Sequence, residues 1–273
     1  MLPLIDTHCH LDAAEFDGDR DDVIRRARNA GVSSFILPAV DVNSFEKVRN
    51  LAHQLDGGAY AVGIHPMFVR HSEDQDLLRL REFVEQHIND EKLVAIGEIG
   101  LDFFVPDISR GVQRTRQIDF YRCQLEMAKA FGLPVLLHVR RSQDELLKWL
   151  RRIGSTGGIA HAFNGSDQQA QQFVDLGFAL GIGGAMTYTR ARQIRRLAMS
   201  LPLANLVLET DSPDIAPAWL VKGDRNDPSQ LAQIARCLAQ LRDADVTTVV
   251  DACAQTAVRV LPRLADLLKF PVH

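Results

Sequence analysis

The sequence contains few cysteines, no cysteine pair and no long apolar run, and each of these absences excludes a class of protein. Its 4 cysteines stand far apart, and without a CxxC motif neither a zinc ribbon nor a thioredoxin-type site is indicated. No stretch approaches the roughly 20 apolar residues that a membrane helix needs. The N-terminus has no basic region and reaches Asp6 before an apolar run forms, so it does not resemble a signal peptide. We therefore predict a soluble cytoplasmic protein with reduced thiols and no membrane partner.

Positive charge is not in excess either. The 31 basic and 35 acidic residues give a net charge of −4, so no global positive field draws the chain towards nucleic acid. A local basic rim would still be enough to hold a nucleic-acid substrate. The composition, with 46% of the 273 residues hydrophobic and 24% charged, excludes collagen-like and disordered proteins. This length allows one large domain or two smaller ones.

Short apolar runs alternate with longer amphipathic runs along nearly the whole chain. Short, continuous apolar runs are typical of parallel strands that are covered on both faces. The predicted strands are Leu4–His8, Ser34–Val40, Tyr60–His65, Leu93–Gly97, Pro134–Val139, Gly158–Ala162, Ala179–Gly183 and Asn205–Glu209. The predicted helices between them include Asp21–Ala30, Arg116–Phe131, Asp144–Arg152, Asp167–Leu176 and Arg192–Ser200.

Eight strands, each followed by a helix-sized segment, predict an α/β fold of the (β/α)8 type, a TIM barrel. An open doubly wound sheet is the alternative, but no GxGxxG motif follows the first strand. Nothing in the composition marks an interior linker, so we predict one barrel domain over residues 1–273. The segment from about Thr247 to Leu268 is predicted to form one or two closing helices.

Polar residues concentrate at the predicted strand ends, where a barrel carries its chemistry. Five of the 9 histidines lie there, on four different strands, and carboxylates follow the fourth and eighth strands. This set is His8, His10, His65, Glu98, His138, His161, Glu209 and Asp211. Taken alone, a histidine is more often a hydrogen-bonded structural residue than a ligand. The whole set, converging on one barrel mouth, predicts a metal centre.

The HxH pair begins this predicted centre, because side chains two apart on a strand point to the same face. Imidazole and carboxylate ligands suit Zn²⁺ and Mn²⁺, and a carboxylate-rich shell keeps Mg²⁺ possible. Two ions about 3.5–4 Å apart would share a hydroxide and clamp a phosphoryl group. Glu98 is the candidate bridge, with His8, His10 and Asp211 on one ion and His138 and His161 on the other.

Four residues have additional or alternative roles in this scheme. His65 precedes Pro66 and either contacts a substrate oxygen or packs at a loop entrance. Asp211 is the better candidate for the catalytic base, because water activated by a metal needs an adjacent carboxylate to take its proton. Glu209 either orients a ligand, pairs with an arginine or forms a buried structural pair. Asp6 is a candidate partner for a metal-binding histidine.

At these residues the sequence resembles the TatD family of metal-dependent hydrolases, often called TatD-type deoxyribonucleases, and most of all its YjjV-type branch. The resemblance covers the chain from about Asp6 to Pro228 and is carried by the motifs IDTHCHLD, GIHP, GEIGLDF, LPVLLHVR, HAFNGS and ETDSPDIAP. It implies a TIM-barrel hydrolase with two divalent ions (Mg²⁺, Mn²⁺ or Zn²⁺), the same division of ligands, catalytic roles for Asp211 and Glu98, and substrate contact by His65. Some members are described as nucleases that degrade DNA from the 3′ end, and others as deacylases.

The sequence departs from the family pattern at three positions. Ala162 stands in place of a cysteine that ligates nothing, so the metal set is untouched. Met67 replaces a loop histidine. Asp224 replaces a lysine in the segment GDRNDP, which weakens one basic contact at the rim.

The substrate depends on what lines the mouth. Basic residues that follow the later strands are candidates for phosphate binding if they face it: Arg140, Arg141, Arg190, Arg192, Lys222 and Arg225. Aromatic candidates are Phe103, Phe104, Phe163, Tyr188 and Trp219; Phe163 and Trp219 are candidates to stack a base, although core packing suits Phe163 better. We therefore expect DNA or another phosphoester as the substrate, with no obligate protein partner, which is compatible with a monomer.

Three alternatives remain beside a deoxyribonuclease. A hydrolase of a small phosphoester, or of an aminoacyl or carboxylic ester, would use the same dinuclear site. A C–N amidohydrolase of the dihydroorotase type is disfavoured, because many such enzymes bridge their metals with a modified lysine, and the fourth strand here carries Glu98 and no lysine. A metal-binding protein without turnover is disfavoured by the acidic groups that remain for proton transfer.

Overall fold

The protein is a TIM barrel, as the sequence predicts. The structure is a computed structural model that describes residues 3–269. Its 8 parallel strands are paired in chain order around one sheet. They are β1 (Leu4–Asp6), β2 (Val32–Pro38), β3 (Gly58–Val62), β4 (Leu93–Asp102), β5 (Val135–Arg140), β6 (Gly158–His161), β7 (Phe178–Ile182) and β8 (Leu206–Leu208).

Helices connect successive strands and form the outer layer. They are α1 (Arg20–Asn29), α2 (Phe45–Gln54), α3 (Asp74–His87), α4 (Gly111–Phe131), α5 (Gln143–Ile153), α6 (Asp167–Asp175), α7 (Arg192–Ser200), α8 (Leu231–Arg242), α9 (Val246–Val260) and α10 (Arg263–Leu267). Of these, α2, α3 and α8 are not among the predicted helices. None of the helices within residues 3–269 has both the length and the apolar character needed to cross a membrane.

Backbone hydrogen bonds beyond the ends of β1 and β8 join the first and last strands. The amide of Thr7 donates to the carbonyl of Leu208 at 3.1 Å. One step further along, the amide of Asp211 donates to the carbonyl of His8 at 2.9 Å, and that of His10 to Ser212 at 2.8 Å. The barrel therefore closes next to its polar mouth.

Apolar side chains fill two layers. Alternate strand residues such as Ile36, Leu136 and Ile159 point into the barrel, and α9 and α10 pack against the same interior cluster. Their neighbours, such as Phe35 and Leu137, pack outwards under the helices. Because both faces of each strand are buried, the strands are continuous apolar runs, as parallel sheets require. The predicted domain boundaries include residues 1–2 and 270–273, which lie outside the described part.

The observed strand ends differ most from the prediction at β4 and β3. β4 continues past the predicted end at Gly97 to Asp102, and β3 ends at Val62 and not at His65. β1 ends at Asp6, before the two histidines. Gly97 and Gly100 both lie inside the sheet. A Cβ at Gly100 would lie 2.2 Å from the carbonyl oxygen of His138, so the backbones of β4 and β5 approach too closely for any side chain.

Candidate metal centre

The segment that carries His8 and His10 continues as extended chain between β2 and the loop after β8. The amide of Cys9 donates to the carbonyl of Ile36 at 3.2 Å, while the two histidines bond to the opposite neighbour. Cys9 is thereby buried in the core, and both imidazoles point to the mouth with ring centroids 5.1 Å apart. The two-residue spacing thus has the predicted consequence, although the segment lies beyond the strand.

Glu98 reaches the mouth through an irregularity in β4. Ile96 pairs with Val135 and Ile99 with Leu137, so three steps along β4 match two along β5. An extra residue of this kind bends a strand and redirects a side chain. The carboxylate of Glu98 is 2% exposed and lies at the centre of the histidines.

The two carboxylate oxygens of Glu98 face different histidines. Oε2 lies 3.1 Å from Nε2 of His8 and 3.7 Å from Nε2 of His10. Oε1 lies 3.0 Å from Nδ1 of His138 and 3.3 Å from Nε2 of His65. One buried carboxylate therefore joins two sets of ligand atoms.

Asp211 closes the other side of the first set. Its Oδ1 lies 3.6 Å from Nε2 of His8, 3.7 Å from that of His10 and 3.6 Å from that of His161. Asp211 has a left-handed backbone with φ of 57°, which turns the chain sharply after β8. Strained backbone of this kind concentrates at functional sites.

The electrostatics of the site suit a bound cation. Burial, with the neighbouring His161, lowers the pKa of His8 to about 3, so this imidazole is neutral and has a lone pair to offer. Burial would lower the pKa of His161 as well, but the carboxylates of Asp211 and Glu209 outweigh it and raise that pKa to about 10. The histidines around Glu98 outweigh its burial and hold its pKa well below the usual range. The negative charge that favours a proton on His161 equally favours a divalent ion.

Three groups of side chains have ligand atoms within 4.8 Å of one another, and each group could hold a metal ion. They are His8, His10 and Asp211; His8, Glu98 and His161; and His65, Glu98 and His138. Ligands at about 2.0–2.2 Å from one tetrahedral ion lie about 3.3–3.6 Å apart, close to the separations seen here. Nδ1 of His8 and Nδ1 of His161 are also buried without a hydrogen bond. The donor set therefore fits a metal centre.

The structure brings all the predicted metal ligands and His65 to one mouth. His8, His10 and Asp211 form one group, as expected for one ion, whereas His161 does not lie with His138. His161 lies with His8, their rings stacked with centroids 3.8 Å apart, whereas the centroids of His138 and His161 are 6.5 Å apart. His65 lies with His138. The division of ligands between two ions remains a proposal.

Similarity to known proteins identifies the family of this chain. The model of the family described as TatD related DNase matches residues 5–262. The chain is 41% identical to the uncharacterized metal-dependent hydrolase YjjV of Escherichia coli K12 over 87% of this chain and 90% of that protein. The chain belongs to the TatD-related DNase family.

A crystal structure of YjjV and one further TatD-family relative show how much of the chain is similar. The crystal structure of Escherichia coli YjjV superimposes with a TM-score of 0.89 at 38% identity, covering 95% of this chain and 98% of that one. The human protein named deoxyribonuclease TATDN3 is 32% identical and covers 97% of both chains. The similarity therefore extends over almost the whole barrel.

Two buried carboxylates support the histidines in this TatD-family chain: Asp102 was missed from sequence, whereas a buried structural pair was among the roles predicted for Glu209. Asp102, the last residue of β4, is fully buried, with Oδ2 3.1 Å from Nε2 of His138. It stands in the GEIGLDF motif, which was the available signal. Glu209 lies 3.1 Å from Nδ1 of His161 and accepts the amide of Ala162 at 2.6 Å, so it pairs with a histidine and not with an arginine.

Other TatD-motif residues shape the loops. The buried amide of Asn226 donates to the carbonyls of Thr210 and Asp214 at 2.9 and 2.8 Å and so holds the turn around Asp211. Asp6 accepts from the hydroxyl and the amide of Thr210 at 2.6 and 3.0 Å, and from the amide of His8 at 3.4 Å. Its contacts are therefore with the backbone and a hydroxyl, not with an imidazole as expected.

A cavity of about 950 Å³ opens over this centre. Of the six basic candidates, Arg140 and Arg141 line it, whereas Arg225 is paired with Asp19 at 2.7 Å. Of the five aromatic candidates, Phe104 lines the cavity. Phe163 is buried in the core, as preferred, and Trp219 packs against the core and donates to Gln230, so the prediction that Trp219 stacks a base lacks support.

Proposed function

We propose that this protein is a metal-dependent hydrolase that cleaves phosphodiester bonds in DNA and releases nucleotides from the 3′ end. The strongest support for this proposal is the position of Glu98. Its two carboxylate oxygens face separate sets of histidines at the base of an open cavity. A carboxylate in this position can bridge two ions. Divalent ions held there would supply activation of water and neutralise the charge of a phosphodiester.

The relatives support the chemistry at two levels. YjjV is named as a metal-dependent hydrolase, and this chain shares its fold and most of its length. TATDN3 is named as a deoxyribonuclease and covers the chain nearly end to end. The name of the human relative makes DNA the first substrate to test.

The carboxylates beside His138 and His161 indicate which nitrogen of each imidazole would hold a metal. Nε2 of His138 faces Asp102 and Nδ1 of His161 faces Glu209, so these nitrogens carry the protons. The lone pairs then lie on Nδ1 of His138 and Nε2 of His161, which both point into the mouth. This pattern suits both residues as ligands.

The hydrogen bonds of His65 suit a different role. Its Nδ1 accepts the amide of Met67 at 3.2 Å, which leaves the proton on Nε2. With its proton on Nε2, His65 is a hydrogen-bond donor in the mouth, so within the third group we assign metal binding to Glu98 and His138 and not to His65. We infer that His65 orients a phosphate oxygen, while Asp211, 14% exposed towards the cavity, takes the proton of the attacking water.

The test is hydrolysis of single-stranded DNA by protein stripped of metal, with Mg²⁺, Mn²⁺ or Zn²⁺ restored separately. We expect nucleotide release that requires a metal ion and is absent from Glu98→Ala prepared in the same way, which controls for contaminating nucleases. Release without added metal, or equal release by the variant, would contradict the proposal. Cleavage of bis(p-nitrophenyl) phosphate but not of DNA would support phosphodiester hydrolysis and contradict DNA as the substrate.

A further inference from the structure

We propose that Phe104, Arg140 and Arg141 form a nucleotide subsite, in which the ring stacks on the base and the guanidinium groups hold the phosphate next to the scissile bond. This inference rests on the proposed function and names the part of the rim that recognises the substrate. It is carried by exposure, stacking and the distribution of charge around the mouth.

The ring of Phe104 is exposed where a soluble protein would normally bury it. Phe104 is 43% exposed and follows β4 directly, and Met67 and Phe68, on the neighbouring loop after β3, are 39% and 38% exposed. All three line the cavity over the candidate metal centre. An apolar patch at the edge of a polar cavity is typical of a surface that binds a ligand.

Two guanidinium groups lie against this ring. The Cζ atom of Arg140 is 4.0 Å from the ring centroid of Phe104, and that of Arg141 is 4.6 Å from it. A stacked guanidinium group keeps its N–H donors in its own plane, parallel to the ring, where they can bind a phosphate beside the ring. Within residues 3–269, Arg141 has no carboxylate at ion-pair distance, so its charge is available.

Arg140 connects the subsite to the metal centre. Its Nη1 lies 3.7 Å from Oδ2 of Asp102, the oxygen that faces Nε2 of His138. A phosphate held by Arg140 and Arg141 is therefore next to the histidine set that surrounds Oε1 of Glu98. This proximity places the scissile bond, and not a distant part of the substrate, beside the reacting groups.

Negative charge on the side of the mouth opposite Arg140 and Arg141 orients the substrate. Asp12 and Glu15 follow β1, Asp214 follows β8, and all three line the cavity. In a barrel of eight strands, the seam between β1 and β8 lies across from β4 and β5. Acidic groups there repel phosphates, so the polyanion is directed to the side of Arg140 and Arg141. The same side carries the aromatic ring, as a nucleotide requires.

The experiment compares two oligonucleotides that are identical except at the 3′ terminus, which bears a normal base in one and an abasic tetrahydrofuran in the other. For the wild type with its working metal ion, we expect kcat/KM about tenfold higher on the first, since base–aromatic stacking supports an effect of this order. Phe104→Ala should remove this preference by slowing cleavage of the base-bearing substrate alone. Arg141→Ala should raise KM on both by about tenfold, the order expected of a lost phosphate contact.

Arg190→Ala is the matched control, because its guanidinium also stacks on a ring, that of Tyr188 at 5.4 Å, but the residue does not line the cavity. It should leave both substrates unchanged. Equal wild-type rates on the two substrates, or equal losses on both in Phe104→Ala, would overturn the subsite.

Failure of the proposed function has a different signature, namely that the wild type cleaves neither oligonucleotide with any metal. In that case, fluorescence anisotropy of the labelled base-bearing oligonucleotide in EDTA measures binding without cleavage and tests the subsite by itself. Binding that weakens about tenfold in both Phe104→Ala and Arg141→Ala would retain the subsite. Binding that both variants leave unchanged, or no binding by the wild type, would overturn it.

Discussion

Nε2 of His138 lies 3.1 Å from Oδ2 of Asp102. Asp102 is the last residue of β4, and His138 lies on the neighbouring β5, two residues before its end. Asp102 also accepts the amides of Phe104 and Val105 at 2.8 and 3.0 Å. Burial opposes its ionisation, but these donors and His138 outweigh it and lower the pKa of Asp102 to about 2. This ionised carboxylate holds one nitrogen of His138 and leaves the other directed at Glu98.

We predict that Asp102→Asn weakens metal binding and slows turnover, each by about 10–100-fold, because loss of a carboxylate that orients a metal-binding histidine has effects of this size. Isothermal titration with Mn²⁺ measures the first effect and single-stranded DNA hydrolysis the second. Asp119→Asn, an exposed carboxylate on α4, is the control and should change neither. Unchanged Mn²⁺ affinity in Asp102→Asn would mean that His138 is not held through Asp102.

A methyl group at Gly181 should disturb the site from behind. A Cβ there would lie 2.0 Å from Oε2 of Glu209, the carboxylate that faces His161. We expect Gly181→Ala to lower the free energy of unfolding by about 1–3 kcal/mol, as overpacking does, and to weaken Mn²⁺ binding. Urea unfolding and metal titration test both. Gly18→Ala is the control, because a Cβ there has nothing within 4 Å, and its stability and Mn²⁺ affinity should match those of the wild type. If Gly181→Ala also has the stability and Mn²⁺ affinity of the wild type, Glu209 moves aside without cost.

Asp211→Asn should retain the fold and lose turnover by more than about 100-fold, because the side chain keeps its size but no longer takes a proton. Asparagine also tolerates the left-handed backbone that Asp211 adopts. Circular dichroism and DNA hydrolysis make the comparison, with Asp224→Asn in the same loop as the control. Unchanged turnover would remove Asp211 from the reaction.

The pH dependence of stability should reflect Asp90, away from the mouth. Burial would raise its pKa, but hydrogen bonds from His53, the amide of Lys92 and the hydroxyl of Tyr60 outweigh it and hold the pKa of Asp90 below its ordinary value. A lowered folded-state pKa stabilises the protein above the unfolded value of about 3.9, and this contribution is lost as the pH falls through the folded-state pKa.

Asp90→Asn should therefore lower Tm by several degrees at pH 6, since 1 kcal/mol corresponds to about 2–4 °C for a chain of this size, and by less at pH 3. Differential scanning calorimetry at both values measures this, with the exposed Glu91→Gln as the control. A Tm difference that is equal at the two pH values would contradict an ionised Asp90 as the cause.

Much of the fold follows from the sequence because two signals are strong, namely the apolar runs of the strands and the helical patterns between them. Continuous apolar runs such as Phe178–Ile182, with helical patterns between them, indicate a parallel barrel, and strand ends collect at one mouth. His8, His10 and Asp211 could be assigned to that mouth from position alone.

The remainder depends on geometry that a residue pattern does not encode. The irregular pairing between Ile96 and Ile99 turns Glu98 inwards, and no periodicity predicts it. Asp102 was missed because the predicted strand ended at Gly97, five residues before the observed end of β4. Phe104, and not Trp219, reaches the cavity because loop conformation decides where an aromatic side chain points.

The central claim is that Glu98 joins two metal ions, and metal stoichiometry tests it most directly. Wild-type protein and Glu98→Gln, which keeps the volume of this buried side chain, are loaded with Mn²⁺, freed of excess ion and analysed by elemental mass spectrometry beside a DNA hydrolysis assay. The account predicts two ions per chain in the wild type, and loss of both ions and of activity in the variant. A wild type with one ion, or a variant that retains both ions and full activity, would contradict it.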